Sequence, residues 1–316
     1  MKTDVETSII IRALNEAEHL DKLFFGLNSQ NYKNFEIVFV DSGSTDGSDK
    51  IAQKNNCKII RIKKEDFSFG RALNLGCESA QGKYLVFISA HVYPSHKEWL
   101  ENLINPLKNH EKTGLCYGKQ TGDERTKFSE QQIFNKWFPK DFVPDQADAF
   151  CNNANCAIKK ELWEKYKYDE ILTGLEDLDF AKKIKQDGNK ICYASNSEIV
   201  HVHQETFNQT KNRYMREAVA MKKIEPDFKF SFYYFIQSLL STILADFAQA
   251  VKEKSLTKKF IEIISFRFAQ NYGTFCGFNE RSNISDALFD KFYGYNLDKE
   301  KSNEVSKKLS TIDYEK

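Results

Sequence analysis

Three stretches of this 316-residue chain carry side chains that could do chemistry. The first is Phe35-Glu-Ile-Val-Phe-Val-Asp-Ser-Gly-Ser-Thr-Asp-Gly-Ser48, an apolar β-branched run that stops at Asp41 and enters a small, hydroxylated, glycine-bearing turn. Such a run reads as a strand buried in a parallel sheet. Ligands of open α/β sheets bind just beyond the carboxyl ends of the strands, where helix N-termini also offer free N–H groups. A carboxylate at Asp41 can there accept hydrogen bonds from a nucleobase or ribose edge; Ser44 and Thr45 can equally serve as caps of the next helix. The second stretch is Glu176-Asp177, which opens a segment whose Phe180, Ala181 and Ile184 would bury one helix face and leave both carboxylates at its N-terminal end. A general base belongs in such a place, although the helix dipole alone also favours acids there. The third is a set of histidines, His91 after the apolar run Tyr84–Ala90, and His201-Val-His203 with both imidazoles on one strand face. A neutral imidazole ligates manganese or a related metal; packing beneath Tyr93 and Pro94 is the other reading of His91.

The elements that must position these residues alternate in type. Ser8–Ala13 reads as a buried strand, followed by Asn15 as an N-cap with Glu16 and Glu18 in the first turn of a helix to Leu27. Strands are expected at 35–40, 57–62 and 84–90, with helices at 49–55 and 69–80 between them. This order implies right-handed crossovers and a mostly parallel sheet. Residues 119–155 are less regular. Helices return at 159–166 and 177–186, the latter stopped by Gly188, and short strands are expected at 191–194 and 198–203. Beyond residue 208 the pattern turns to long aromatic helices, with Phe232, Ile236, Leu240, Ile243, Phe247 and Val251 in a helical stripe. The lysine-rich tail after Tyr295 reads as a solvated or frayed helix.

Composition removes several classes. A formal net charge of +1 argues against a nucleic-acid binder that works through bulk electrostatics. Seven cysteines, an odd number with no Cys-x-x-Cys, suggest reduced thiols in the cytosol rather than a disulfide framework or a zinc ribbon. The N-terminus lacks a basic-then-apolar signal pattern, and no uncharged apolar run is long enough to span a membrane.

Four segments, in order, resemble the motifs of the family 2 glycosyltransferases. Asp41–Ser48 looks like their nucleotide-binding motif, Gly70-Arg-Ala-Leu-Asn-Leu-Gly76 their arginine/asparagine helix, and Gly174-Leu-Glu-Asp-Leu-Asp-Phe-Ala181 their Glu-Asp motif. Ser89-Ala-His91 sits where that family usually has Asp-x-Asp. The resemblance runs from about Thr7 to about His203. Phe67-Ser-Phe-Gly-Arg71, Tyr117-Gly-Lys-Gln120 and His201-Val-His203 further resemble a rhamnosyltransferase-like branch of bacterial surface-polysaccharide enzymes.

The resemblance implies a GT-A fold: a Rossmann-like α/β domain, its mostly parallel sheet flanked by helices, over residues 1–207. Residues 208–316 would form a helical C-terminal extension. It implies an inverting transfer from a nucleotide-sugar donor to a glycan or lipid-linked acceptor, with no nucleic-acid partner, in the cytoplasm. Asp177 would be the base and Glu176 its neighbour. Arg12, Asn15, Glu16, Asp41, Ser42, Ser44, Arg71, Asn74, Ser89, Ala90 and His91 would line the donor site, and Asn153 and Asn155 the acceptor side. Arg71 could pair with a phosphate or with Asp41, or lie on the surface. A divalent cation, manganese or magnesium, would be held by His91 and by His203 or His201; protonated histidines or Arg71 could instead replace it. The aromatic stretch 228–247, with lysines 252, 254, 258 and 259 beyond it, suits either an anionic membrane surface or a packed helical subdomain. Two other functions stay open. A nucleotidyltransferase is disfavoured by the want of a glycine-rich Lys/Arg-bearing loop near the N-terminus. A non-catalytic sugar-nucleotide binder is disfavoured by the intact Glu176-Asp177 pair.

Overall fold

The computed structural model of the protein describes residues 5–280. Apolar strands and amphipathic helices alternate through its first third: β1 (Thr7–Ala13), α1 (Ala17–Asn28), β2 (Phe35–Asp41), α2 (Ser48–Lys54), β3 (Lys58–Arg61), α3 (Phe69–Ser79) and β4 (Tyr84–Ser89). β1 pairs in parallel with both β2 and β4, and β2 with β3. There follow β5 (Val92–Pro94), α4 (Trp99–Asn109), β6 (Thr113–Thr121), α5 (Phe128–Trp137), β7 (Asn155–Lys159), α6 (Lys160–Tyr166), α7 (Glu176–Gln186) and β8 (Lys190–His201). The eight strands make one sheet in the order β3-β2-β1-β4-β7-β6-β8-β5. β7 runs antiparallel to both of its neighbours, and β5 antiparallel to β8.

The central strands are buried on both faces, which is why they read as unbroken apolar runs rather than as alternating ones. Ile9, Ile11, Phe39, Val86 and Ile88 point into one layer with Leu20, Leu23, Trp99 and Leu103 of α1 and α4. Ile10, Val38, Leu85 and Phe87 point the other way, onto Leu73 of α3 and Phe180 and Ile184 of α7. Each such side chain contributes about 1.5–3 kcal/mol on burial. The result is the expected three-layer α/β fold.

Two local expectations are corrected. Residues 119–155 are not irregular throughout: they contain the end of β6, α5 and the start of β7. The helix escaped notice because Ser129, Glu130, Gln131 and Gln132 break its apolar pattern and no side chain caps its start. The strands expected at 191–194 and 198–203 are one strand, β8, whose middle is the polar Ser195-Asn-Ser197. Ser197 is buried there because its hydroxyl donates to the Trp99 carbonyl. Just after β4, residues Val92–Pro94 form β5, which pairs with β8 through Val92 and His201.

Three further helices follow, α8 (Phe207–Ile224), α9 (Phe232–Lys252) and α10 (Leu256–Asn279). α10 approaches α8 so closely that a Cβ on Gly273 or Gly277 would lie 2.3 Å from the Lys211 or Met215 carbonyl oxygen. A buried ion pair between Asp246 and Arg267, at 2.7 and 2.8 Å, joins α9 to α10, and Arg267 also reaches the Ser129 carbonyl of α5. The apolar stripe of α9 faces this packing only in part. Phe247 packs with Phe128 and Ile263, beside the buried Phe235, Asp246 and Ala250, while Leu240 and Val251 are exposed and Phe232 is exposed but touches the Phe275 ring. Among the described residues no helix is long and apolar enough to cross a membrane. The tail after Tyr295 lies outside the described residues.

Asn155 shows how the sheet is locked at β7. It is fully buried; its Oδ1 accepts from Trp99 Nε1, and its Nδ2 donates to the carbonyls of Lys119 and Ser197. It therefore ties α4, β6 and β8 together and cannot line an acceptor pocket, contrary to the expectation from sequence. Asn155→Leu should lower unfolding free energy by about 3 kcal/mol, since three buried polar partners lose their bonds. Chemical denaturation measures this, and a loss below about 1 kcal/mol would mean that the network relaxes onto other partners.

Candidate active site

The carboxyl ends of β1, β2 and β4 meet at one edge of the sheet, where Ala13 pairs with Asp41 and Arg12 with Ser89. The turn after β2 is fixed to the turn after β1 by a reciprocal set of bonds. Asp41 Oδ1 accepts from the Ser44 N–H at 3.0 Å. Ser44 Oγ accepts from the Asn15 N–H, Ser48 Oγ from Glu16 and Asp46 Oδ2 from Ala17. In return Asn15 Oδ1 accepts from Thr45 N–H at 2.8 Å. Ser44 thus serves the start of α1, while Asp46 serves both helices: its Oδ1 accepts from the N–H and the hydroxyl of Ser48 at the start of α2, whose N-cap is Gly47. Gly43 and Gly47 have φ of +95° and +93°, the left-handed values this turn requires. Asn15, expected as an N-cap, instead adopts φ +54°, and Glu16 takes the cap position. Asp41 and Ser42 are buried, and Asp41 Oδ2 has no partner among the described residues.

Arg12 joins this edge to the Glu176-Asp177 pair. Its Nη1 donates to Glu176 Oε1 and to the Phe69 carbonyl, both at 3.2 Å, and its guanidinium lies 4.9 Å from the Phe69 ring centre. Glu176 and Asp177 form the first turn of α7, entered through Leu175 at φ +56°. A β-carbon in that left-handed conformation costs on the order of 1–3 kcal/mol and is tolerated where the surroundings impose it. Asp177 Oδ2 accepts from the Asn153 N–H at 3.0 Å and Oδ1 from the Leu178 N–H at 2.9 Å. Burial and the neighbouring Glu176 charge nevertheless lift its carboxyl to about 7, against the downward pull of those N–H groups and of Arg12. The Asn153 side chain points elsewhere, to Tyr168, so its tie to the pair is through the backbone.

The histidines converge as a consequence of the β5–β8 pairing, with the Val202 N–H donating to the His91 carbonyl. One ring nitrogen from each of His91, His201 and His203 lies within 4.8 Å of the others. Each Nδ1 faces an oxygen: Glu16 Oε1 at 3.2 Å, Gln120 Oε1 at 2.7 Å and Glu130 Oε1 at 2.9 Å respectively. Nε2 of His201 and Nε2 of His203 are 2.9 Å apart. Glu130, buried on α5, is gripped by Arg213 of α8 through both oxygens at 2.9 Å. Burial pushes the Glu130 carboxyl up, but Arg213 and His203 outweigh it and hold it down at about 2. Burial, with neighbouring His203, His91 and Arg213, keeps His201 neutral. Three imidazoles whose outer nitrogens are occupied fit a divalent cation.

The expected donor residues separate into two groups. Arg12, Asn15, Glu16, Asp41, Ser42, Ser44, Ser89, Ala90 and His91 do gather at this sheet edge. Asn74 does not join them as a ligand-facing group. It is buried, accepting from Trp163 Nε1 and the Tyr168 N–H and donating to Glu170, and so pins α3 to the loop before α7. Arg71 is exposed and makes no ion pair with Asp41. Glu130 and Arg213 were missed, and Gln120 was noted only as the end of a motif, with no role. Each stands among other polar residues, so nothing local marks it as buried or paired.

Residues 8–167, about half of the chain, match the Glycosyl transferase family 2 domain. An uncharacterized glycosyltransferase of Rickettsia prowazekii is 35% identical over 111 residues, 34% of this chain and 35% of that protein. The chain thus spans about a third of the length of that relative. The O-antigen chain rhamnosyltransferase WbaN of Salmonella anatum is 24% identical over 208 residues, 62% of this chain and 65% of WbaN. Among solved structures, the mannosyltransferase PcManGT of Pyrobaculum calidifontis with GDP-Man and Mn2+ superposes with a TM-score of 0.56 at 18% identity, covering 92% of this chain and 87% of that one. S. aureus TarS with UDP-GlcNAc gives 0.54 at 17%, covering 84% and 90%. The fold is GT-A.

The Asp177 environment predicts a titration. Its carboxyl should lose its proton near pH 7 rather than 3.8, and Glu176→Gln should bring that midpoint down; carbon-13 shifts of labelled aspartate report both. The sign for stability follows. The raised value favours the neutral form in the fold, so that contribution is complete below pH 3.8 and is lost as pH rises through 7. Asp177→Asn should therefore melt higher than wild type above pH 7 and at the same temperature below pH 3.8.

Proposed function

We propose that this chain, which belongs to glycosyl transferase family 2, moves a sugar from a nucleotide-sugar donor to a hydroxyl of a glycan or lipid-linked acceptor, with inversion, in the building of a surface polysaccharide. The observation that carries this reading is the Arg12 link, which puts a carboxyl lifted to about 7 beside the strand edge that holds Asp41 and His91. The rhamnosyltransferase WbaN, and the GDP-Man and UDP-GlcNAc named for the two structures of the same fold, support the donor class.

In this reading the free oxygen of Asp41 accepts from the base or ribose, and the exposed Arg71 meets a phosphate. Asp177 accepts the proton of the acceptor hydroxyl as that oxygen bonds to the anomeric carbon. The bond from that carbon to the diphosphate oxygen breaks on the opposite face, and the electron pair leaves with the diphosphate. Glu176, held by Arg12, fixes the start of α7 and raises its neighbour's proton affinity. A divalent cation held by His91, by His201 at the end of β8 and by His203 just beyond it would offset the diphosphate charge. Residues 1–207 act as the catalytic unit, and the exposed apolar face of α9 with lysines 252, 254 and 258 suits an anionic membrane surface.

Asp177→Asn should keep nucleotide affinity and lower turnover by at least about two orders of magnitude, the scale of a lost general base. Retention of more than about a tenth of the turnover would remove Asp177 from that role. Asp41→Ala should weaken binding of the cognate nucleoside diphosphate by about 1–3 kcal/mol in calorimetry. An unchanged affinity would leave Asp41 with only its bond to the Ser44 N–H.

A further inference from the structure

We propose that His91, His201 and His203 form a carboxylate-free, three-imidazole centre that takes a borderline transition ion such as zinc or cobalt, binds manganese less tightly and refuses magnesium. The ion preference stands on the geometry alone; only its service to a diphosphate rests on the transferase reading above.

The argument begins with protons. A neutral imidazole carries one N–H, and its position is set by what the other nitrogen meets. Here each Nδ1 is directed at an oxygen acceptor, from Glu16, Gln120 or Glu130. That arrangement places the hydrogens on Nδ1 and leaves three Nε2 lone pairs. Two of them, on His201 and His203, are only 2.9 Å apart, where lone pairs repel unless something positive lies between them. A cation supplies it. Metal bonds of about 2.0–2.1 Å bring the nitrogens to roughly 3.3 Å, inside the 4.8 Å over which the three are already gathered. The outer nitrogens engaged by carboxylate or amide oxygens form the second sphere that orients metal-bound histidines.

The identity of the ion follows from the donors. Magnesium requires oxygen ligands in a near-octahedral set and gives up water reluctantly, whereas imidazole suits zinc, iron, nickel and copper. Affinity for such nitrogen sites rises from manganese through cobalt and nickel, so manganese is the weakest of the transition ions offered. Neutral ligands also leave the full double charge of the ion facing outward, as in open three-histidine sites that keep a fourth position for an exogenous group. Gln120 adds a particular feature: its Nε2 is buried without a hydrogen-bond partner, so this amide is spent on a single bond, to His201. Arg213 holds the Glu130 carboxylate in place from α8, making the third outer contact as firm as the others.

The competing arrangement is a proton rather than a metal. With the Gln120 amide reversed, His201 would accept on Nδ1 and donate from Nε2 to His203, and no ion would be needed. Cobalt separates the two. The full chain, stripped with chelator, is titrated with Co2+ in the absence of any nucleotide and followed by proton NMR. Each histidine bound through Nε2 shows one exchangeable, hyperfine-shifted Nδ1–H signal, so one is expected from each of the three imidazoles. His201→Leu should remove one signal and leave the other two, and His96→Leu should remove none. Zinc should displace the cobalt, manganese should do so only in large excess, and magnesium should not. Two signals in the wild type, or displacement by magnesium as readily as by zinc, would overturn the proposal, as would no shifted signal at all. These readouts need no sugar transfer. A chain with all three signals and no transferase activity would sink the functional reading and keep the metal centre, and an active chain without them would do the reverse.

Discussion

The Arg12 guanidinium is the interaction on which the rest of the site depends. It stands at the last turn of the central strand, 164 residues from the Glu176 carboxylate that it holds at 3.2 Å. Side-chain relative exposures of 22% and 7% place the pair away from most of the solvent, so removing either partner leaves a charge poorly compensated. The same guanidinium bonds the Phe69 carbonyl and lies over its ring, which fixes the start of α3 as well. One side chain therefore sets the relative position of the strand edge that bears Asp41, the start of α3 and the acidic pair. Arg12 also pulls the Asp177 carboxyl down, so its raised proton affinity comes from burial first and the neighbouring Glu176 second, and both act against the guanidinium.

A second constraint comes from strand direction. β5 is only three residues long, yet its antiparallel pairing with β8 is what carries His91 to His201. The β6 residue Gln120 and the α5 residue Glu130 then meet the outer nitrogens of the histidines from the side. Arg213 reaches Glu130 from α8, so the C-terminal helices are part of the scaffold of this cluster as well as an appendage. The buried Asp246–Arg267 pair, which also contacts the α5 backbone, makes that attachment rigid.

Much of the architecture was legible in the chain because parallel strands buried on both faces leave an unmistakable apolar run. Ser8–Ala13, Phe35–Val40 and Tyr84–Ala90 are of this kind; the first two lie within strands, and the third overruns β4 by Ala90 alone. The acidic pair at the start of α7 and the glycines of the Asp41 turn were legible for the same reason: their chemistry is local. What was not legible depends on partners distant in sequence. Asn155 and Asn74 look like ligand-binding amides until the buried groups they satisfy are known. The middle of β8 is polar because Ser197 is bonded to Trp99, and α5 hides because Glu130 is buried against an arginine that lies 83 residues away. Periodicity cannot report a buried polar residue whose partner comes from another element.

The antiparallel β7 carries a consequence for how the chain assembles. On one side of it, β1 to β4 are contiguous in sequence and joined by short crossovers, so their contacts are of low sequence separation. On the other, β6 pairs with β8 across an intervening span of about seventy residues, and β5 waits for β8. Loop-closure entropy makes the first set the faster to form. During synthesis the strand edge bearing Arg12 and Asp41 can be complete while Glu176 and two of the three histidines are still within the ribosome. The last long-range pairings to close are then those that bring the acidic pair and the imidazoles to it, so an emerging chain holds a half-site before it holds a whole one.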